Sequence, residues 1–168
     1  MLILASGDIN PWPALQGCAA RPRITRPMAT EKNGLVPDVF ERAAFVRTMA
    51  IELVDYGDGW CETRQRVLPE HQQQHGFAHA GVVMTIADHT CGGAATSVVG
   101  NDQDVITVEN KTSFLRPAAG DVLHARATVL RAGKSLIFVE AEVTVERGDE
   151  RVLAAKTSST LAVIPRAR

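Results

Sequence analysis

The sequence predicts an α+β domain in which one curved antiparallel sheet wraps around a long buried helix. The helix is indicated by residues 77–99, an apolar stretch in which Asp88 is the only aspartate, glutamate, lysine or arginine. A helix that is apolar on all sides belongs in the protein interior. The sheet is indicated by the segments after Asn101, where apolar and polar residues alternate as they do in a sheet with one wet face. A single buried helix has to be covered, and one curved sheet covers it.

The composition is that of one globular domain. The chain has 168 residues, of which 45% are apolar and 22% are charged, so a substantial core is expected. Its net charge of −1 provides no electrostatic footprint for nucleic acid or anionic lipid. No apolar run reaches the roughly 18 residues that span a bilayer. We therefore expect neither a nucleic-acid partner nor a membrane association.

The cysteines and histidines favour neither a disulfide nor a metal. Cys18, Cys61 and Cys91 are odd in number and lack metal-type spacing, which predicts free thiols in a reducing compartment, the cytoplasm. His71 and His75 stand four residues apart, but they lie on a loop rather than on an acidic helix motif of the zinc-protease kind. We expect no metal site.

Two parts of the chain differ in composition. Residues 1–37 contain five prolines and no periodic pattern, which predicts a loosely ordered N-terminal extension. Met28 offers an alternative start, so residues 1–27 are either a short native extension or a translation artefact. Residues 38–165 are predicted to form the folded domain.

Local signals predict the elements up to the buried helix. Asp38 is expected to cap a short helix over residues 39–49. The Gly-Asp-Gly turn at residues 57–59 is of the kind that joins two hairpin strands. A polar loop, residues 69–76, precedes the buried helix, which is predicted over residues 80–99.

Four strands are predicted after the helix, over residues 104–117, 121–131, 135–147 and 151–164. Strict alternation in the first of them places one set of side chains on one face (Thr107, Glu109, Lys111, Ser113) and a second set on the other (Val108, Asn110, Thr112, Phe114). One sheet leaves open edges and one helix gives a thin core. We therefore expect two subunits to pair into a continuous sheet.

Two features of the buried helix indicate a reactive site. Asp88 is a carboxylate in apolar surroundings, where burial is costly unless the group is paired, neutralised or placed at a reactive cavity. The helix start near Ala80 presents backbone amides without internal partners, and such amides can hold a carbonyl oxygen that gains negative charge. Asp88 lies about 12 Å further along the helix axis. We therefore expect Asp88 of a second subunit to complete the site across a dimer interface.

The loop and helix resemble those of hotdog thioesterases of the phenylacetate-degradation type. Residues 73–95, QQHGFAHAGVVMTIADHTCGGAA, are similar to a family motif that reads Asn, two residues, Gly, two residues, His-Gly-Gly, and Asp nine positions after the His. The positions that match in type and spacing are Gly76, His79, Gly81 and Asp88. The resemblance continues through TVENKTSFLRPAAGD and RAGKSLIFVEAEV and covers about residues 40–164.

This resemblance implies a hotdog fold, a homodimer with shared active sites that assembles into a homotetramer, and hydrolysis of an acyl-coenzyme A (acyl-CoA) without a further cofactor. It implies that Asp88 is the catalytic carboxylate, which activates water or attacks the thioester, and that Ala80 gives its backbone amide to the thioester oxygen. His79 would support this turn, Gln73 would position water or substrate, and Thr107 would lie near the water.

Two positions depart from the family pattern. Gln73 replaces the motif's asparagine, which lengthens the side chain by one methylene. Ala80 replaces the motif's first glycine, which keeps the backbone N–H but restricts φ. If this turn needs a positive φ the oxyanion site is compromised, and if it is ordinary helix little changes.

Alternatives remain for several residues. Asp88 could be a structural carboxylate paired with His89 or His79, since buried ion pairs also perturb titration. We expect His89 to be a satisfied interior or interface histidine and Cys91 to be a core residue. The residues that bind the CoA phosphates are unknown, although cations suit that anion and the chain offers Arg116, Arg131 and Lys134.

Alternatives also remain for the function. One is a hotdog enoyl-CoA hydratase or dehydratase, and another is a non-catalytic acyl-CoA-binding protein. The acyl group itself, aromatic or medium-chain, cannot be read from apolar residues such as Val82, Val83 and Phe114.

Overall fold

The computed structural model describes residues 34–166. Its elements in chain order are α1 (Leu35–Arg42), α2 (Ala44–Thr48), β1 (Ile51–Gly57), β2 (Trp60–Arg66), a short 3₁₀ helix (Pro69–His71), α3 (Ala80–Thr96), β3 (Gln103–Phe114), β4 (Val122–Ala132), β5 (Leu136–Arg147) and β6 (Glu150–Pro165). Most of the predicted N-terminal extension, residues 1–33, lies outside the described residues. Its last three residues, 35–37, form the start of α1.

The six strands form one antiparallel sheet in the order β1-β2-β4-β5-β6-β3, and α3 contacts all six. Alternate residues of β4 and β5, among them Leu123, Ala125, Val139 and Val143, are buried beneath the helix, as their period of two predicts. The predicted hotdog architecture is confirmed. Within residues 34–166, no helix combines the length and the apolar character needed to cross a bilayer.

The first helix differs from the prediction. Asp38 does not cap it, because α1 begins three residues earlier, at Leu35. The Asp38 carboxylate instead accepts hydrogen bonds from Arg166 Nη2 at 2.6 Å and from Arg42 Nη1 at 3.3 Å. The chain then bends at Ala43, where ψ is 98°, before α2 continues. The partner Arg166 is distant in sequence, so no local pattern could have revealed this contact.

Helix α3 lies close against the sheet at Gly93. A Cβ atom at this position would lie 2.7 Å from Sγ of Cys61 on β2 and 3.1 Å from the ring of Phe40 on α1. Both distances are shorter than van der Waals contact, so only glycine allows this approach without displacing a neighbour. The adjacent Gly92 has no such neighbour within 4 Å.

Strand β3 contains a β-bulge that changes which residues face α3. The register with β6 shifts between Thr107 and Glu109. On either side of the shift, Thr107 pairs with Leu161 and Asn110 with Ser159, and both partners are buried. Residues three apart ordinarily point to opposite faces of a strand, but the extra residue in the bulge brings Thr107 and Asn110 to the same face. The predicted separation of these two residues was wrong.

Candidate active site

The first turn of α3 presents one backbone amide without a partner. His79 is the N-cap residue, and its ring nitrogen Nδ1 accepts a hydrogen bond from the Gly81 N–H at 3.0 Å. The carbonyl of His79 accepts from the N–H groups of Val82 and Val83. Among the described residues, none accepts from the N–H of Ala80, the first helical residue. This donor carries the partial positive charge of a helix N-terminus and is available to a ligand.

The alanine at position 80 is compatible with this geometry. Ala80 lies in ordinary helix, and Ala50 is the one non-glycine residue with a positive φ in the described part of the chain. The replacement of the motif's glycine therefore places no strain on the backbone at Ala80, because only a positive φ penalises a side chain there.

Gln73 takes part in the turn that precedes the helix. Its Oε1 accepts a hydrogen bond from the His75 N–H at 2.7 Å, and its carbonyl accepts from the N–H of Gly76, whose φ is +79°. Gln73 also lines a cavity of about 610 Å³ at the start of α3, together with Phe77, His79, Ala80, Val83 and Phe114. Gln73, His79 and Ala80 thus line one cavity.

Asp88 is half-buried and has polar partners on one oxygen. Its Oδ1 accepts hydrogen bonds from Thr107 Oγ1 at 3.0 Å and from Asn110 Nδ2 at 3.1 Å. Neither His79 nor His89 pairs with it, and no described residue is bonded to Oδ2. The structure therefore places Thr107 beside Asp88, and its implied place near the reacting water stays a prediction. Asn110 was missed because strict alternation assigned it to the other face from Thr107.

Asp88 and the helix start occupy different places in one protomer. Asp88 lines a cavity of about 390 Å³ with His89, Gly92 and Thr107, and this cavity shares no residue with the one at Ala80. The eight residue-to-residue steps from Ala80 to Asp88 span about 12 Å of helix. The carboxylate and the amide of one protomer are therefore too far apart to act on the same carbonyl group.

Comparison with known proteins identifies the family. Residues 75–152 match the model of the thioesterase superfamily. The solved structure of a thioesterase family protein from Silicibacter pomeroyi is 34% identical to this chain, with a TM-score of 0.77 over 78% of this chain and 96% of that one. The chain belongs to the thioesterase superfamily.

Two further relatives match over a smaller part of this chain. A Listeria monocytogenes protein, 1,4-dihydroxy-2-naphthoyl-CoA hydrolase, is 26% identical over 99 residues, which are 59% of this chain and 80% of that protein. A Caenorhabditis elegans protein provisionally named an esterase is 32% identical over 97 residues, which are 57% of this chain and 56% of that protein. The chain thus spans just over half the length of this last relative.

His89 is the residue of this thioesterase-superfamily site that departs most from expectation. Its ring packs edge-on against Phe40, with the ring centres 4.4 Å apart. Its Nε2 is buried and has no hydrogen-bond partner among residues 34–166, so within one chain this atom is not satisfied; the expected interface histidine stays a prediction. Burial lowers the pKa of His89 below its ordinary value, while the charge of Asp88 opposes the shift. The ring is therefore kept neutral.

The cysteines do not resemble nucleophiles. Cys61 and Cys91 are free thiols and both are buried, and burial raises the pKa of each to about 12. A thiol with so high a pKa supplies almost no thiolate near neutral pH, which supports the interpretation of Cys91 as a core residue. In residues 34–166, no three histidine, cysteine, aspartate or glutamate side chains are grouped to hold a metal ion.

Proposed function

We propose that this protein hydrolyses an acyl-CoA thioester to the free acid and CoA. The observation that carries the proposal is a pair of groups on α3, the Ala80 N–H and Oδ2 of Asp88, to which no residue from 34 to 166 is hydrogen-bonded, in a chain of the thioesterase superfamily. A CoA thioester as the substrate is supported by the name of the Listeria relative.

The chemistry follows from these two groups. The thioester carbonyl oxygen accepts a hydrogen bond from the Ala80 N–H, which stabilises the negative charge that develops on this oxygen. His79 keeps the turn in place through its bond to Gly81, and Gln73, which lines the same cavity as Ala80, positions water or substrate. Asp88 takes a proton from water as the water oxygen attacks the carbonyl carbon, and the CoA thiolate leaves. Alternatively, Asp88 attacks the carbon itself and forms an anhydride that water then cleaves.

We infer that each site is shared by two protomers. Strand β3 has no sheet neighbour on its outer side among residues 34–166, and it exposes the apolar side chains of Ile106 and Val108. Pairing of β3 with β3 of a second copy would satisfy this edge. It would also set the two α3 helices side by side and antiparallel, so that Asp88 of one protomer approaches Ala80 of the other. The opposite edge, β1, has seven residues against twelve in β3, and so short an edge strand offers less backbone for pairing.

The finer specificity is also a proposal. Phe77, Val83 and Phe114 line the cavity at Ala80, and such apolar surfaces accept an aromatic or medium-chain acyl group. Arg116 lines the same cavity and could bind the CoA phosphates. Two dimers would join into a tetramer through exposed apolar side chains on the outer face of the sheet, among them Leu136 and Phe138.

Thiol release from phenylacetyl-, benzoyl- and straight-chain acyl-CoA tests the proposal. We expect turnover by the unmodified protein and a loss in kcat of about 10²–10⁴-fold in Asp88→Asn, since the amide cannot accept a proton or attack carbon. Asp149→Asn, an exposed turn substitution, is the matched control and should retain full activity. Full activity of Asp88→Asn, or formation of an enoyl product in place of free thiol, would contradict the proposal.

The two roles of Asp88 can be separated by isotope. Hydrolysis in ¹⁸O-labelled water, run as a single turnover, places the label only in the released acid if Asp88 is a general base. Label in the Asp88 carboxyl group indicates attack by the carboxylate, because cleavage of the anhydride at that carbon transfers the water oxygen to the side chain.

A further inference from the structure

Asn110 lies at the centre of a hydrogen-bonded network that ends on Asp88. Its Nδ2 donates to Asp88 Oδ1 at 3.1 Å and to Ser159 Oγ at 2.8 Å. Its Oδ1 accepts from Thr112 Oγ1 at 3.2 Å. A carboxylate only accepts hydrogen bonds, so the amide nitrogen of Asn110, rather than its oxygen, has to face Asp88. The orientation of this side chain is therefore determined by chemistry.

The far side of the network is held by the buried sheet. The Thr112 hydroxyl lies 2.8 Å from the hydroxyl of Thr157, and Thr157 and Ser159 are each only 2% exposed. Ser159 also lies beside the buried thiol of Cys91 on α3. Because both ends of the Asn110 amide have fixed partners, little side-chain freedom remains for it to lose during a reaction.

The two donors on Asp88 act on the same oxygen. Thr107 and Asn110 both donate to Oδ1, while Oδ2 has no partner among residues 34–166. The two hydrogen bonds oppose rotation of the carboxylate, which would exchange its two oxygens. We propose that Asn110 is a positioning residue, which together with Thr107 holds Oδ1 so that Oδ2 is the oxygen that meets water or the thioester carbon. This inference rests on the proposed function, because it assumes that Asp88 is the reacting carboxylate.

A purely structural role would be the alternative. In that case Asn110 would serve to satisfy Ser159 and Thr112 at the half-buried junction of β3 and β6, and its loss would lower stability without a specific effect on turnover. The two roles differ in whether the effect of Asn110 depends on Asp88, and a double-mutant cycle measures this dependence.

The test compares Asn110→Leu in the unmodified protein and in Asp88→Asn, with kcat, KM and the thermal unfolding midpoint measured for each. A hydrogen bond to a charged group corresponds to about 10- to 100-fold in rate, so we expect kcat to fall by about this factor with KM nearly unchanged. In the Asp88→Asn background the same substitution should have almost no further effect on the residual rate. Thr112→Val, which removes only the hydroxyl that holds the amide, should show a smaller loss of the same kind.

Some outcomes would contradict the positioning role of Asn110 or the proposed function itself. Unchanged kcat in Asn110→Leu, or an equal fractional loss in both backgrounds, overturns the positioning role. If Asp88→Asn itself retains full activity, the proposed function of Asp88 fails and not only the inference on Asn110. Asn110→Ser keeps a polar group at this position but is too short to reach Asp88, and it provides the same cycle if the leucine variant does not fold.

Discussion

At the scale of single residues, the site depends on which polar atoms lack partners. The Ala80 N–H and Oδ2 of Asp88 have unused capacity at the surface of two cavities, and a ligand or water can satisfy them. Nε2 of His89 is inaccessible to solvent and has no hydrogen-bond partner among residues 34–166. An unpaired polar atom in the interior costs stability, and a charged one costs far more. The consequence for His89 is a dependence of stability on pH.

We expect the free energy of unfolding to fall as the pH drops below about 6.5, the ordinary pKa of histidine. The pKa of His89 is lowered in the folded protein, so below this pH the unfolded chain binds the proton more readily, and the slope due to this group is at most about 1.4 kcal/mol per pH unit. In His89→Phe, which keeps an aromatic ring beside Phe40, this part of the slope should disappear.

Denaturant unfolding between pH 5 and pH 8 measures the effect. Above about pH 7.5 both proteins should follow parallel curves, because histidine is then neutral in the folded and unfolded states. The same slope in His89→Phe and in the unmodified protein at pH 5–6.5 would show that other groups cause it.

At the scale of elements, α3 is positioned by a close approach on one side. Gly93 faces Cys61 and Phe40 at distances that exclude a methyl group, whereas Gly92, its neighbour in the same helix, has open space around it. The position of Asp88 depends on this close contact at Gly93, since a displaced α3 would move the carboxylate away from its two donors on β3. The bulge in β3 is the second requirement, because it brings both hydrogen-bond donors of Asp88, Thr107 and Asn110, to one face of the strand.

Gly93→Ala and Gly92→Ala form a matched pair of substitutions. Alanine gains helix propensity equally at both positions, but at Gly93 the added methyl group overpacks the contact with Cys61. We expect Gly93→Ala to have a free energy of unfolding about 1–3 kcal/mol below that of Gly92→Ala. Denaturant titration of the two variants gives this difference directly, and equal stabilities would contradict the assigned close approach.

At the scale of the whole molecule, the proposed dimer has a defined register. Phe114 lies at the cavity of Ala80, while Thr107 lies at Asp88. The proposed dimer brings Asp88 of one copy to Ala80 of the other. Two antiparallel β3 strands do this only if Thr107 of one copy lies opposite Phe114 of the other, so the pairing is centred midway between Thr107 and Phe114. The centre therefore falls at Asn110 and Lys111, with both α3 helices on the same side of a continuous sheet.

This register predicts a cross-link between two copies at position 111. Lys111→Cys should be joined efficiently by a short bifunctional maleimide, because the two side chains lie near the dimer axis. Ser113 lies on the same face of the same strand and is also exposed, so Ser113→Cys is the control. With a rise of about 3.4 Å per residue, the residues at position 113 of the two copies would be about 13 Å or more apart along the strands. Cys61 and Cys91 are buried and should not interfere.

Non-reducing electrophoresis after a brief reaction measures the fraction of cross-linked dimer. The same reaction at a lower protein concentration excludes cross-links that form by random collision. Efficient cross-linking at both positions, or at neither, would contradict the register. A protein that is monomeric by ultracentrifugation would contradict the shared site as a whole.

Much of the fold could be predicted because its signals are local. The Gly-Asp-Gly turn produced the hairpin of β1 and β2, and the helix start was correctly expected at Ala80 because the polar loop gives way there to the apolar stretch. The failures concern partners far apart in sequence. Asp38 bonds to Arg166, 128 residues away, and a residue engaged in this way no longer has to act as a cap.

The sequence by itself determined the class of fold, the isolated carboxylate of Asp88 and the helix start at Ala80, because a period of two and an apolar stretch that follows a polar loop are patterns of neighbouring positions. Only the tertiary structure decided which groups surround that carboxylate. The bulge in β3 arises from the pairing of β3 with β6, and one inserted residue reverses the face of every side chain that follows it. For that reason Asn110 reaches Asp88 although simple alternation points it away from Thr107.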